Sequence, residues 1–168
     1  PDVFTDPISG KTYLYWGNYY MAVCELNEDM VSIKPNTTRI LIDNDTYYSE
    51  AAHVFYRNGY YYFTWSKNDT RSPEYQVRCV RTKSPVGPIE ASKSEVILCK
   101  KPEQGIFGTG HHSILSLPDK DEWRIIYHRF KFPDAVTMGR NAGFHREVCI
   151  DKLEFDENDS IIEVIPTL

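Results

Sequence analysis

Short apolar and aromatic runs alternate with polar turns along this chain, and nowhere is the three- and four-residue spacing of an amphipathic helix sustained. Val3 and Phe4, a polar turn through Asp6, Pro7, Ser9 and Gly10, and then Thr12-Tyr13-Leu14-Tyr15-Trp16 read as a hairpin. Residues 53–56, the turn Arg57-Asn58-Gly59 and residues 60–66 read as a second, because Asn-Gly between β-formers is the strongest short-range turn signal. Residues 113–117, a turn from Pro118 to Asp121 and residues 123–128 make a third. Aligning Trp16, Trp65 and Tyr127 gives a recurrence of roughly 50 and then 60 residues, near the period of propeller blades. Further strands are expected over residues 20–26, 39–42, 75–81, 96–99, 147–155 and 161–165. The pattern predicts an all-β chain of about three antiparallel four-stranded sheets, each a blade. Three blades cannot close a ring, so a propeller reading makes residues 1–168 part of a larger one. Strand number alone also admits an antiparallel sandwich.

Composition narrows the partners. The chain has 168 residues, 41% of them hydrophobic, enough for a real core. No run approaches the ~20 apolar residues of a membrane-spanning helix, so no membrane partner is expected. Nineteen Lys and Arg stand against 24 Asp and Glu, and no basic stripe forms, which argues against nucleic acid. Aromatic residues reach 14% and gather in short runs, as strands and sugar-stacking surfaces both favour. Cys24, Cys79, Cys99 and Cys149 match no metal or redox spacing and read as mostly buried free thiols. Four Asn-x-Ser/Thr triplets, at Asn36, Asn44, Asn68 and Asn158, read as ordinary polar turns. The sequence opens at Pro1 without the charged and apolar regions of a leader, which says nothing about compartment.

Several segments together resemble a known family. Pro1-Asp2-Val3-Phe4 followed by Gly10-Lys11-Thr12-Tyr13-Leu14-Tyr15-Trp16-Gly17 is similar to the third blade of glycoside hydrolase family 43, a family of five-bladed propellers. Ser49-Glu50-Ala51-Ala52-His53-Val54-Phe55 resembles its general-acid segment, and Ser84-Pro85-Val86-Gly87-Pro88 its Ser-Pro-x-Gly-Pro turn. Gly108-Thr109-Gly110-His111-His112-Ser113, then Trp123 to His128, resembles its fifth-blade histidine motif, and Arg146-Glu147 onward its closing segment. The pieces fall in family order and cover nearly the whole chain. The resemblance implies that residues 1–168 are the C-terminal part, about blades three to five, of one catalytic propeller whose N-terminal blades lie elsewhere. It implies an inverting glycosidase acting on arabinose- or xylose-containing plant polysaccharides, of the α-L-arabinofuranosidase or β-xylosidase kind, and such substrates suggest secretion or the periplasm. A carbohydrate-binding propeller without catalysis is the alternative. The family's base Asp would lie outside this chain, and its Asp that tunes the acid would immediately precede Pro1; Asp2 is the residue after that proline and not its equivalent.

Inverting hydrolysis needs one carboxyl to protonate the leaving oxygen and a second carboxylate, ~6.5–9.5 Å away, to activate water. Glu50 is the acid candidate, because the small Ala51 and Ala52 beside it would let a sugar approach; without the family it reads as a loop glutamate. Strand alternation sends His111 and His112 to opposite faces. The resemblance assigns His111 to the central channel, as a hydrogen-bonding group or as a water-mediated support for a structural calcium; no cofactor is required. Arg146 resembles the arginine that contacts sugar hydroxyls, its fork of donors suiting adjacent hydroxyls, while an ion pair with Glu147 or Asp151 is the plain alternative. Trp16, Trp65 and Phe107 are candidates for stacking on a pentose ring, although most aromatics on such strands pack between sheets.

Overall fold

A computed structural model describes residues 1–117 and 119–167. Its strands are β1 (Asp2–Thr5), β2 (Thr12–Trp16), β3 (Tyr20–Glu25), β4 (Arg39–Asp43), β5 (Glu50–Arg57), β6 (Tyr60–Lys67), β7 (Gln76–Thr82), β8 (Glu95–Leu98), β9 (Gly110–Ser116), β10 (Trp123–Phe130) and β11 (Arg146–Leu153). They form three sheets, ordered β1-β2-β3-β4, β5-β6-β7-β8 and β11-β10-β9. Each is a meander in which neighbours in sequence are neighbours in space, which is the build of a propeller blade.

The turn chemistry explains the connections. Asn58 and Gly59 both take positive φ, 50° and 81°, which a two-residue turn of type I′ requires between β5 and β6. In the turn between β1 and β2 the buried Asp6 carboxylate accepts from the Ile8 and Ser9 amides at 3.1 and 3.2 Å, and from the Tyr61 hydroxyl at 2.8 Å. One side chain thus fixes the hairpin and ties it to β6. Asn36, Asn44 and Asn68 also sit at positive φ, so three of the four triplets use asparagine for the backbone shape it tolerates. Pro118 of the third expected turn lies outside the described residues.

Two compact units can be distinguished, one of Pro1–Trp65 with Cys79–Ser94, the other of Ser66–Arg78 with Glu95–Leu168. The first has an aromatic core in which Tyr15, Phe63 and Trp65 have no exposed surface. The Tyr15 hydroxyl, buried with its ring, donates to the Pro85 carbonyl at 2.7 Å, so the Ser84-to-Pro88 turn is anchored by a strand residue. In the second unit the β10–β11 ladder runs from Trp123 opposite Leu153 to Phe130 opposite Arg146. None of the four thiols is in a disulfide; Cys24 and Cys79 are buried, while Cys99 and Cys149 are half-buried.

One expectation about strands changes. The third sheet has three strands among the described residues, because residues 161–165 form no strand: a single bridge joins Phe155 to Ile161. Beyond it, isolated hydrogen bonds replace a ladder. The Val164 amide donates to the Ile97 carbonyl at 2.8 Å, and the Thr167 hydroxyl to Asp151 at 2.7 Å, with Pro166 between them lacking an N–H. The β9–β10 ladder also breaks: Ser113 faces Ile126 and Gly110 faces His128, so His111 and His112 together oppose Tyr127. This is a β-bulge, and His111 carries it at φ 49°.

Gly110 is required by close approach. A Cβ there would lie 2.4 Å from two carbons of the Tyr75 ring, which is fully buried and cannot swing away. Gly110→Ala is expected to cost ~1–3 kcal/mol by overpacking, whereas Ser113→Ala, on the exposed face of the same strand, should stay within ~0.5 kcal/mol. Urea unfolding of the two variants measures the contrast.

Candidate functional site

In the first unit Glu50 is the first residue of β5 and is half-buried. The backbone turns sharply there, since Ala51 holds φ at 59°, a region that non-glycine residues enter at a cost of roughly 1–2 kcal/mol. The segment is supported from behind by the turn after β2. The Tyr19 amide donates to the Ser49 carbonyl at 2.7 Å and the Tyr48 hydroxyl to the Gly17 carbonyl at 3.3 Å. Burial, reinforced by the nearby Glu50 carboxylate, pushes the Tyr48 phenol well above its ordinary range. Further along β5, the Asp2 carboxylate accepts the Val54 amide at 2.8 Å and pairs with His53 Nδ1 at 3.1 Å. Burial works to raise the Asp2 pKa, but the hydrogen bonds and charge of His53 and the Val54 amide outweigh it and hold the carboxyl below its usual value.

Of the stacking candidates, Trp16 is half-buried at the end of β2, next to the turn that supports Ser49. Trp65 is corrected. It has no exposed surface, its indole N–H donates to the Tyr47 carbonyl at 2.7 Å, and its ring packs at 6.0 Å on Tyr48. No face of it is open to a sugar. Position decides this: Trp65 lies in the long buried stretch of β6, where six consecutive residues are buried and alternation no longer marks an exposed side. In the second unit Phe107 is half-buried and packs against Phe130, Ala135 and Ala142.

The second unit brings His111 and Arg146 to one group. His111 is exposed and His112 buried, on opposite faces as alternation requires. The His111 amide donates to Ser66 Oγ at 2.9 Å, which secures the bulge. Arg146, exposed at the start of β11, donates from one terminal nitrogen to His128 Nε2 at 3.0 Å and to Thr70 Oγ1 at 3.2 Å. The His128 ring stacks with both Tyr75, at 5.6 Å, and His111, at 6.1 Å. Burial first, then the positive charge of Arg146 and the neighbouring His111, lower the His128 pKa to about 4. His128 is therefore neutral near pH 7 and able to accept.

The ion pair offered as the plain alternative for Arg146 does not form. Adjacent strand residues face opposite ways, and Glu147 instead pairs with the buried Arg129 at 2.8 Å. Asp151 accepts from the Tyr127 and Thr167 hydroxyls, both at 2.7 Å. The loop that carries Thr70 is fixed by Asp69, whose carboxylate accepts the Arg71 amide at 2.8 Å and its guanidinium at 2.9 and 2.5 Å. Arg71, with Arg140, holds the Asp69 carboxyl far below its ordinary range.

His128, Thr70 and Tyr75 are members of this group that the sequence pattern did not single out. A signal for His128 existed, since it lies diagonally across the ladder from Arg146, but it needed the β10–β11 register. Thr70 ends the Asn68 triplet, which reads as a polar turn and not as a site, and nothing local pointed to Tyr75. A calcium does not fit the residues of this chain by themselves. The ring beside His111 is another imidazole, no group of three or more His, Cys, Asp or Glu able to hold a metal occurs among the described residues, and calcium prefers six to eight oxygens.

Comparison with known proteins gives the family. Residues 1–161 match the family model of glycosyl hydrolases family 43. The chain is 32% identical over 167 residues to the β-D-galactofuranosidase xynD of Aspergillus niger, covering 99% of this chain and 45% of that protein. Among solved structures it superimposes on a glycoside hydrolase with TM-score 0.81 at 28% identity, covering 98% of this chain and 34% of the other. A thermostable family-43 glycoside hydrolase gives TM-score 0.80 at 26% identity, covering 98% and 56%. The chain thus spans about half the length, or less, of these relatives. With three antiparallel blade-like sheets and a family model that matches nearly its whole length, the chain belongs to glycosyl hydrolases family 43.

Proposed function

We propose that the protein carrying this chain is an inverting glycoside hydrolase acting on arabinose- or xylose-containing plant polysaccharides or oligosaccharides, with Glu50 as general acid and Arg146 and His111 as sugar-binding residues. The observation that carries the reading is the state of Arg146. It is exposed, it has no carboxylate partner among the described residues, and both of its partners are neutral acceptors. An arginine so placed keeps its charge and most of its five N–H donors available to hydroxyls. Glu50 would give its proton to the glycosidic oxygen as the bond to the anomeric carbon breaks, and then carry negative charge. A carboxylate outside this chain would take a proton from water attacking the opposite face of the ring. Half-burial keeps Glu50 partly shielded from solvent while leaving it an accessible side. Trp16 and Phe107, both half-buried, are the candidates left for contact with a sugar ring.

A second substrate reading has its own support, because the 32%-identical relative is a β-D-galactofuranosidase. Galactofuranose resembles arabinofuranose in its ring and carries one more carbon on the exocyclic arm, so one pocket floor can serve both and the room for that arm decides. Rates of the full-length protein on aryl α-L-arabinofuranoside, β-D-xyloside and β-D-galactofuranoside should be highest on one of the first two. Preference for the galactofuranoside replaces the pentose reading, and no turnover with retained sugar binding leaves a carbohydrate-binding propeller.

Glu50→Gln is expected to lower hydrolysis of sugars with poor leaving groups by roughly 10²–10⁴-fold while largely sparing activated aryl glycosides, whose phenolate leaves without a proton. Equal loss on both kinds of substrate removes Glu50 from the acid role. Arg146→Ala should lower kcat/KM by about ten- to a hundredfold, as loss of a charged hydrogen bond does. Arg146→Lys should not restore it, because one ammonium cannot reproduce the fork. A change within twofold for Arg146→Ala, with only thermal stability lowered, makes Arg146 structural.

A further inference from the structure

We propose that His128 is a positioning residue: its Nε2 accepts from the Arg146 guanidinium and sets the direction in which the remaining guanidinium N–H groups face the sugar. This rests on the reading of Arg146 as a substrate contact.

The geometry assigns the tautomer. A guanidinium has donors only, so at 3.0 Å from Arg146 the Nε2 atom must present a lone pair. The proton of the neutral ring then sits on Nδ1, which is buried and has no hydrogen-bond partner among the described residues. An imidazole with its lone pair engaged and its N–H buried cannot pass protons to a substrate, which sets aside a general acid–base role for His128. It can hold a direction. Register places His128 opposite Val148 and Phe130 opposite Arg146, so the two side chains are diagonal neighbours on one face of the sheet. Tyr75 and His111 stack with the ring at interplanar angles of 12° and 20°, which fixes the plane from which Nε2 points. Thr70 Oγ1, 3.2 Å from the same guanidinium nitrogen, supplies a second neutral acceptor from the loop that Asp69 and Arg71 brace.

The groups facing the ring decide which residue suits position 128. They are Arg146 from β11, His111 from β9, and Tyr75 and Thr70 from the segment before β7. A carboxylate at 128 would tie Arg146 more tightly but would neutralise the charge the sugar is to meet. A neutral acceptor orients the guanidinium and leaves its charge uncompensated.

The test is a double-mutant cycle in the full-length protein, read as kcat/KM on the aryl glycoside it cleaves best, together with ¹⁵N NMR of the histidines in the unmutated protein. His128→Phe keeps a ring to stack on Tyr75 and removes the acceptor. It should lower kcat/KM about tenfold beside wild-type Arg146 and have no further effect beside Arg146→Ala. His128→Gln, whose amide oxygen reaches about as far as Nε2, should recover most of the loss. The His128 Nε2 resonance at neutral pH should be that of an unprotonated nitrogen. Equal loss from His128→Phe in both backgrounds, no loss while Arg146→Ala is impaired, or a proton found on Nε2 each overturns the positioning role. Silence of Arg146→Ala alone overturns the substrate-contact reading, and this inference falls with it. The NMR result stands even if a variant fails to fold.

Discussion

Two of the residues that hold their backbone where side chains rarely go do so at the same place in two different sheets. Ala51 is the second residue of β5 and has φ 59°; His111 is the second residue of β9 and has φ 49°. Each such residue costs of order 1–3 kcal/mol and persists only where its surroundings over-determine it. Around Ala51 these are the Tyr19-to-Ser49 bond and the Asp2 carboxylate on the Val54 amide; around His111 they are Ser66 Oγ on its amide and Tyr75 packed over Gly110. Burial of Gly110 under Tyr75 and of His112, with His111 between them exposed, is what simple alternation back from Ser113 gives. What the bulge changes is the pairing, since His111 and His112 together stand opposite Tyr127.

The sequence was legible where the chemistry is local. Asn58-Gly59 requires its turn, the Asp6 segment requires its own, and alternation along Thr12-Tyr13-Leu14-Tyr15-Trp16 sorts Tyr13 and Tyr15 inward. It was less legible where long-range competition decides. Residues 161–165 have the apolar content of a strand, but Thr167 and Val164 find partners in Asp151 and the Ile97 carbonyl, and the segment follows those instead of a ladder. Trp65 looked like a sugar platform only because composition cannot tell a buried aromatic from an exposed one. For Arg146 the rejection of a Glu147 pair was available from alternation alone, since neighbours on a strand face opposite ways. The tie to His128 was not, because it depends on which residues of β10 stand beside β11.

Arg129 and Arg146 show how one sheet uses the same side chain for opposite ends. Arg129 is 5% exposed, its charge is matched by Glu147, and a second nitrogen donates to the Thr167 carbonyl at 2.8 Å. A buried guanidinium without such partners would be prohibitively costly, so this arginine is committed to holding the closing segment. Among the described residues Arg146 bonds only to an imidazole nitrogen and a hydroxyl. Neither cancels its charge, and exposure to solvent makes that tolerable. The cost falls on His128, whose protonation would set two positive groups 3.0 Å apart, and burial of the ring already disfavours it. Charge on the arginine and neutrality of the histidine therefore maintain each other: the guanidinium depresses imidazole protonation, and the neutral imidazole leaves the guanidinium oriented, charged and open on its remaining side.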